Sequence, residues 1–431
     1  MLIFLTHANH LYSDRKQVRK MQPYPPLQTL IAASLLRREG HEVTFFDCTF
    51  DRDFTSALDA KRPDLVAVVE DNFNFLTKMC LLTNRNLAFE IAQAAKLRAI
   101  PCLVNSADST SRPTEYLQAG FDRVLSGELE DALVKTCATW PNQAPVAEPI
   151  IDLDTLPMPA WDLIDVERYR RAWTDAHGYF SVNLAASRGC PFRCNWCAKP
   201  VHGDSYRTYS ADRVAAEIEC LRDLLSPDHI WFADDIFALS PKWARELATC
   251  IERRDVRIPF KMQSRCDLMT RDTVAALAEA GCVEVWMGAE SGSQRVLDRM
   301  EKGIRVEQIA EARANLAGHG IRACLFLQFG YLGEEWEDIE ATIRMVRQVR
   351  PDDVGISVSY PLPGTGFFQI VQQQRTAQEH WSDSDDLAMT YSGAFPTEFY
   401  RALSEALHKE VRGNASEQAW NRVEALRCAY C

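Results

Sequence analysis

The sequence predicts an α/β protein with two parallel-sheet domains and a short helical tail. Short apolar runs alternate with helical patterns over residues 1–140 and again over residues 166–366. This alternation is typical of parallel strands whose connecting helices cover the sheet. Residues 141–165 are rich in proline and lack periodicity, so they predict a linker. Residues 367–431 are polar and helical in pattern, which predicts a C-terminal extension that ends in Cys-x-x-Cys.

The N-terminal domain is predicted from five strand-like segments separated by helical stretches. These segments are "MLIFLTH", "HEVTFFDC", "DLVAVVE", "IPCLVN" and "FDRVLSG". They predict a doubly wound, Rossmann-like sheet, in which a ligand binds at the carboxyl ends of the strands.

The second domain is predicted from six further strand-like segments. They are "FSVNLAAS", "HIWFADDIF", "FKMQSRCD", "EVWMGAESG", "RACLFLQFGYLG" and "DVGISVSYPLPG". Helical stretches such as "SADRVAAEIECLRDLL" separate them. Six βα units make a parallel barrel that is not fully closed, and barrel enzymes carry their chemistry at the carboxyl ends of the strands.

Charge and hydropathy limit the partners of the chain. Its 431 residues carry a formal net charge of −12, which argues against broad binding to nucleic acids or anionic membranes. The amino terminus lacks the pattern of a signal peptide, and no run of about 18 apolar residues occurs. We therefore expect a cytoplasmic protein without a nucleic-acid or membrane partner.

Three cysteines stand close together in "SRGCPFRCNWCAKP". Cys190, Cys194 and Cys197 follow the first predicted barrel strand directly. Three thiolates can hold three corners of a cubane iron–sulfur cluster and leave the fourth iron open to a ligand. The alternative is a zinc loop that takes a fourth cysteine or histidine from elsewhere in the chain.

The segment "CPFRCNWC" resembles the C-x3-C-x2-C motif of the radical S-adenosylmethionine (SAM) enzymes, including the aromatic Trp196 before the last cysteine. The resemblance implies a [4Fe–4S] cluster whose open iron is chelated by SAM. It also implies an external one-electron reductant of the flavodoxin or ferredoxin type, a 5′-deoxyadenosyl radical and a small-molecule substrate.

Further segments at the barrel strand ends resemble the SAM-binding positions of that family. The resemblance implies contacts to the SAM amino group after the second strand, to its carboxylate after the third, to its ribose after the fourth and to its adenine after the fifth. With Trp196, the implied residues are Asp234, Asp235, Gln263, Ser264, Arg265, Glu290, Ser291, Gly330, Gly333 and Glu334.

The first domain resembles the cobalamin-binding domain that precedes the barrel in one class of radical SAM enzymes. "YPPLQTLIAASLLRREGHEVTFFD" resembles its first unit and "FDRVLSGELEDAL" its last. The implied pocket residues are Pro26, Leu27, Asp71, Asn72, Asn105, Ser106, Gly127 and Glu128.

Two features of this domain depart from the family pattern. The D-x-H-x-x-G motif of many cobalamin proteins is absent, and Asn105 and Ser106 stand where glycines would let the backbone approach a flat ligand. The pocket therefore either takes cobalamin in a different way or has lost it.

The C-terminal pair Cys428 and Cys431 can ligate a metal, cycle as a dithiol, contribute to an auxiliary cluster, or belong to a frayed end. A pair of thiols also suits a soft substrate such as trivalent arsenic. This arrangement resembles the radical SAM enzymes of arsinothricin biosynthesis, which transfer the 3-amino-3-carboxypropyl group of SAM to arsenite.

Three functions follow from these observations. The leading hypothesis is a cobalamin-dependent radical SAM methyltransferase that acts on an unactivated carbon or a phosphinate in small-molecule biosynthesis. The second is a 3-amino-3-carboxypropyl transferase whose soft substrate binds Cys428 and Cys431. The third is a non-catalytic zinc-binding scaffold protein.

Overall fold

The computed structural model describes residues 1–143, 146–199, 201–376 and 378–430. Its N-terminal part contains a parallel five-stranded sheet with the order β2-β1-β3-β4-β5. The strands are β1 (Leu2–Thr6), β2 (Glu42–Phe46), β3 (Leu65–Val69), β4 (Cys102–Asn105) and β5 (Arg123–Val124). The order reverses after β2, as in the predicted doubly wound sheet, which is thereby confirmed.

Helices connect these strands. They are α1 (Arg15–Lys20), α2 (Leu27–Arg38), α3 (Phe54–Lys61), α4 (Phe75–Lys78), α5 (Leu82–Leu97), α6 (Ala107–Ser111), α7 (Pro113–Ala119) and α8 (Glu130–Thr139). Side chains of Asp14, Asp53 and Ser106 accept hydrogen bonds from the first turns of α1, α3 and α6. Such capping satisfies backbone N–H groups that the helix itself leaves unpaired.

Both faces of the five-stranded sheet are buried. Val66 and Val68 of β3 pack in one apolar cluster, whereas Leu65, Ala67 and Val69 pack in another. Successive side chains of a strand point to opposite faces, so this alternation places helices on both sides of the sheet.

The second sheet has six strands in the order β13-β12-β11-β10-β9-β6, and β7 and β8 form a separate two-stranded antiparallel ribbon. The strands are β6 (Ser181–Leu184), β7 (Ser187–Arg188), β8 (Arg207–Thr208), β9 (His229–Phe232), β10 (Phe260–Ser264), β11 (Cys282–Glu290), β12 (Arg322–Phe329) and β13 (Asp353–Val358). The six strands confirm the predicted partial barrel. The ribbon was not predicted, because two-residue strands carry no periodicity.

The remaining helices are α9 (Val166–His177), α10 (Ala211–Leu225), α11 (Pro241–Arg254), α12 (Arg271–Ala280), α13 (Gln294–Arg299), α14 (Glu307–Ala317), α15 (Trp336–Val349), α16 (Gly366–Val371), α17 (Thr397–Val411) and α18 (Glu417–Tyr430). The helices α16 to α18 form the predicted C-terminal extension. Within the described ranges, no helix has the length and apolar character needed to span a membrane.

Internal contacts divide the chain into two compact units. Each unit combines three separate segments, and these segments cross the predicted domain limits. The first comprises Met1–Cys190, Lys199–Ala233 and His380–Asp386; the second comprises Pro191–Ala198, Asp234–Glu379 and the chain from Leu387 onward. The domain limits at 1–140, 141–165, 166–366 and 367–431 stay predictions.

Helix α9 shows why residues beyond 165 belong to the first unit. The Trp173 indole donates a hydrogen bond to the Pro23 carbonyl at 2.7 Å, and the Tyr169 hydroxyl donates one to Asp47 at 2.8 Å. Both aromatic side chains are fully buried. The first helix after the predicted linker therefore packs on the N-terminal sheet domain.

The buried ion pair between Arg85 and Asp108 generates a prediction about stability. The guanidinium donates two hydrogen bonds, at 2.6 and 2.7 Å, and both side chains are more than nine-tenths buried. We expect Arg85→Met to lower the free energy of unfolding by about 3 kcal/mol, because the buried Asp108 carboxylate then loses both of these hydrogen bonds and keeps the Tyr116 hydroxyl at 2.9 Å and the Arg112 guanidinium at 3.7 Å.

Chemical denaturation measures this difference. Arg98→Met is the matched control: its partner Asp59 lies 2.7 Å away but is 64% exposed, so we expect a loss of less than about 1 kcal/mol. Equal losses in the two variants would contradict the prediction.

Candidate active site

The cysteine loop begins directly after the ribbon strand β7. Cys190, Cys194 and Cys197 are all half-buried. Gly189 has a φ of +75°, and a Cβ atom at that position would overlap the Ser205 carbonyl oxygen. Glycine is therefore required here to turn the chain from β7 into the loop.

Backbone and side-chain contacts hold the individual cysteines. The amide of Cys197 donates to the Cys194 carbonyl at 3.1 Å, which places these two residues in one tight turn. The Cys190 carbonyl accepts a hydrogen bond from the Lys199 ammonium at 2.8 Å. The loop thus presents its thiols from an ordered backbone.

Arg265, predicted to contact the SAM carboxylate, lies beside the cysteine loop. Its Nη1 is 3.9 Å from the Cys194 sulfur, and its guanidinium carbon lies 3.7 Å from the centre of the Phe192 ring. Its other nitrogens donate to the two carboxylate oxygens of Asp267 at 2.9 and 3.1 Å. The Asp267 pair and the ring fix the guanidinium, so that Nη1 faces the loop.

A buried ion pair lies behind Trp196. The Lys302 ammonium is 2.7 Å from Glu290, and both side chains are only 6% exposed. The same ammonium lies 6.0 Å from the centre of the Trp196 ring. Burial lowers the pKa of Lys302, but the charges of Glu290 and Cys194 outweigh burial and raise it above its ordinary value. Lys302 therefore stays cationic beside the cysteine loop.

Glu290 occupies a strained backbone position at the end of β11. Its φ is +60°, a conformation that costs energy for a residue with a side chain. The ion pair with Lys302 holds its carboxylate in place. Ser291, predicted beside it as a ribose contact, is fully buried and shares a hydrogen bond with Thr342 of α15.

Gln263 and Ser264, at the end of β10, hold the loop that follows β9. The Gln263 amide donates to the Asp234 carbonyl at 2.5 Å, and the Ser264 hydroxyl donates to the Phe237 carbonyl at 2.9 Å. Asp234 is fully buried and Asp235 half-buried. The two side chains of β10 therefore position the backbone that carries both aspartates.

The loop after β12 is shaped by its two glycines and by Glu334. Gly330 and Gly333 both have a φ of +74°. One Glu334 oxygen accepts the Gly330 amide at 2.5 Å, and the other has no hydrogen-bond partner among the described residues. Burial raises the pKa of Glu334 to about 8, so this carboxyl is largely protonated at neutral pH.

Glu128, predicted in the cobalamin pocket, belongs to a buried ion network. It accepts hydrogen bonds from Arg207 at 2.8 and 2.9 Å and from Arg188 at 3.3 Å. Arg188 is fully buried and also donates to Glu130 at 2.6 Å. Burial raises the pKa of Glu130, but Arg188 brings it down to about 2. Two carboxylates after β5 thus anchor the arginine that precedes Gly189.

Four buried side-chain oxygens without hydrogen-bond donors lie on residues at the end of β3 and the start of α2. Within the described residues, Gln28 Oε1, Glu70 Oε2, Asp71 Oδ2 and Asn72 Oδ1 are buried without a hydrogen-bond donor. The second Asp71 oxygen caps α2 by accepting the Gln28 amide at 3.2 Å. Pro26 and Leu27, at the start of that helix, are buried. This edge of the sheet therefore offers acceptors to a ligand that brings donors.

The side chains of Asn105 and Ser106 form hydrogen bonds with other residues of the N-terminal sheet domain. Asn105 accepts from Asn72 at 2.9 Å and donates to the carbonyls of Leu125 and Gly127 at 2.7 and 3.0 Å. Ser106 forms a capping box with Ser109 at the start of α6. The amide side chain ties β4 to the end of β5, which explains a residue larger than glycine here.

The terminal cysteines are only partly described. Cys428 is exposed on α18, with its sulfur 3.6 Å from the Glu424 carboxylate. Cys431 lies outside the described residues.

Comparison with known proteins identifies the second domain. Residues 184–346, which include the three cysteines, match the model of the radical SAM superfamily. The chain is a radical SAM enzyme. The interpretation as a non-catalytic zinc scaffold is thereby removed.

Relatives of this radical SAM enzyme cover most of both chains. An uncharacterized methyltransferase from Pyrococcus horikoshii is 27% identical and covers 80% of this chain and 78% of its own. The hopanoid C-3 methylase of Methylococcus capsulatus is 26% identical over 88% of this chain and 74% of its own. The cobalamin-dependent radical SAM enzyme OxsB, solved with aqua-cobalamin and SAM, has a TM-score of 0.74 at 17% identity, covering 98% of this chain and 70% of its own. This structure confirms the fold of both sheet domains.

The donor set of the radical SAM enzyme fits an iron–sulfur cluster. Three half-buried thiols, a short turn and two nearby cations match the need for anionic sulfur ligands with compensating charge. Among the described residues, no group of three or more histidine, cysteine, aspartate or glutamate side chains is arranged to hold a single metal ion.

Sequence reasoning missed several residues of this site. Nothing in the sequence indicated that Lys302 is buried beside the cysteine loop, because most lysines lie at the protein surface. Asn195 and Phe192 stand between the cysteines, and their residue types alone do not indicate a role. Arg188 and Glu130 could have been found, because an arginine before the loop and an acidic pair after β5 form a complementary set.

The buried acids after β3 generate a prediction about pH. Burial raises the pKa of Glu70 to about 7. The native state therefore binds a proton that the unfolded state releases above the ordinary glutamate pKa of 4.5. We expect the free energy of unfolding to fall as pH rises from about 4.5 to about 7, and Glu70→Gln to remove this part of the slope.

Denaturation curves at several pH values measure the slope. Glu42→Gln controls for the loss of one carboxylate, because Glu42 is an exposed residue of β2. A Glu70→Gln profile that runs parallel to that of the wild type would contradict the prediction.

Proposed function

We propose that this radical SAM enzyme is a cobalamin-dependent methyltransferase that acts on an unactivated carbon or a phosphinate of a small molecule. The observation that carries the proposal is the order of the two sheet domains, a doubly wound sheet followed by a radical SAM domain. OxsB, which has the same fold over most of its length, binds cobalamin and SAM. Two relatives are methyltransferases, and one of them acts at a carbon of a hopanoid.

Cys190, Cys194 and Cys197 are proposed to ligate a [4Fe–4S] cluster that leaves one iron for SAM. When bound, the cluster supplies the electron for SAM cleavage and cobalamin carries the methyl group. Arg265 Nη1 and the Lys302 ammonium offset negative charge at the loop. An external reductant of the flavodoxin or ferredoxin type is proposed as the electron source.

SAM is proposed to bind along the carboxyl ends of the barrel strands. Asp234 and Asp235, held by the side chains of β10, offer carboxylates to its amino group. Arg265 offers the one guanidinium nitrogen that Asp267 leaves available. The unpaired Glu334 oxygen offers a protonated carboxyl to the adenine ring. Glu290, fixed by Lys302, is proposed to meet the ribose.

Cobalamin is proposed to bind at the carboxyl edge of the five-stranded sheet. The rim of a corrin carries carboxamide groups, whose N–H donors match the unpaired oxygens of Gln28, Glu70, Asp71 and Asn72. Gly127, with a φ of +76°, gives the loop after β5 the tight turn that a close-lying ligand needs.

The products of SAM cleavage test this proposal. We expect anaerobic incubation with SAM, cobalamin and a strong reductant to release 5′-deoxyadenosine, detected by mass spectrometry. Heat-treated enzyme serves as the control. Release of 5′-methylthioadenosine alone would contradict methyl transfer, and it would favour transfer of the aminocarboxypropyl group.

A further inference from the structure

Asn195 of the cysteine loop forms hydrogen bonds with four residues, although it is not one of the three cysteines. It stands between Cys194 and Trp196. Its backbone amide donates to the Met300 carbonyl at 3.0 Å, and its side-chain amide donates to the Arg299 carbonyl at 2.7 Å. These two contacts tie the loop to the end of α13, which follows β11.

The acceptor groups of Asn195 reach two other elements. Its side-chain oxygen lies 2.9 Å from the Tyr331 hydroxyl, after β12, and its backbone carbonyl accepts the Phe367 amide at 2.9 Å, at the start of α16. The Tyr331 hydroxyl also lies 2.9 Å from the Arg299 carbonyl. One residue of the loop is therefore bonded to the segments that follow β11, β12 and β13.

Aromatic packing makes this arrangement rigid. Tyr331 and Phe367 stack with ring centres 4.8 Å apart, and Tyr391 of the C-terminal extension packs edge-on against Phe367 at 5.4 Å. The Tyr391 hydroxyl donates to the Gly330 carbonyl. The Arg299 guanidinium donates to the Gly333 carbonyl at 2.7 Å. These bonds connect the segments to each other as well as to the loop.

We propose that Asn195 is a positioning residue that sets the Cys194–Cys197 turn against the late barrel strands and the C-terminal extension. A side chain with both a donor and an acceptor can bond the Arg299 carbonyl and the Tyr331 hydroxyl at the same time. An alanine offers neither group, and an aspartate has no donor for the carbonyl. The proposal depends on the radical SAM assignment alone, because SAM cleavage requires neither a methyl acceptor nor a particular transferred group.

The test compares Asn195→Ala, Tyr331→Phe and the double variant by iron content, the midpoint potential of the cluster, and kcat and KM for SAM cleavage. Tyr331→Phe keeps the ring stack and removes only the hydroxyl. We expect all three variants to hold iron as the wild type does, with a shifted midpoint potential. We expect kcat to fall about 10- to 100-fold in Asn195→Ala, since small displacements of reacting groups cost this much, while KM changes little.

The double variant separates positioning from general destabilisation. If both side chains act through one hydrogen bond, the double variant has the kcat of Asn195→Ala, because coupled effects do not add. Asn414→Ala and Tyr12→Phe, both at exposed positions, are the matched controls and keep the wild-type kcat and potential.

Three results overturn the proposal. They are a wild-type kcat and potential in Asn195→Ala, a double variant whose loss equals the product of the single losses, and loss of iron from Tyr331→Phe. If Asn195→Ala does not fold, Tyr331→Phe decides: a lowered kcat at full iron content upholds the proposal, and an unchanged kcat overturns it.

Discussion

The proposed ligation of the cluster by three thiolates without a fourth is the constraint on which the chemistry of this enzyme depends. A fourth protein ligand would close the cluster, so the fold must supply three sulfurs and then keep other side chains away from the open iron. The loop meets this constraint through its backbone. Gly189 turns the chain sharply, and the Cys197 amide closes a tight turn on Cys194. The surrounding charges, Arg265 and Lys302, approach as cations that do not ligate iron.

The buried charged side chains around the loop form ion pairs with residues of opposite charge. Lys302 pairs with Glu290, Arg265 with Asp267, and Arg188 with Glu128 and Glu130. A buried charge without a partner is costly, so each set must stay intact. Arg188 stands two residues before Cys190 in the chain. The acidic residues after β5 thus fix the start of the cysteine loop within the first compact unit.

Most of the fold and the cysteine triplet at the centre of the site could be predicted from the sequence. Every predicted strand of both sheets is present, because the alternation of strand-like segments with helical stretches is visible in the local sequence. The cysteine triplet was visible because metal-ligand spacing is local. Asn195 and Lys302 could not be found, because their roles arise from contacts with residues far away in the chain. Asn105 was predicted as a pocket residue from its position at the end of β4. Its hydrogen bonds to the end of β5 depend on strand pairing that local sequence does not reveal.

The claim that Cys190, Cys194 and Cys197 hold a cluster with an open iron for SAM is tested most directly by iron analysis combined with electron paramagnetic resonance of the reduced protein. We expect about four iron atoms per chain and a spectrum that changes when SAM is added. We expect Cys194→Ala to lose both properties, whereas Cys428→Ser, at an exposed position, keeps them. A Cys194→Ala protein that retains its iron and still responds to SAM would contradict the account.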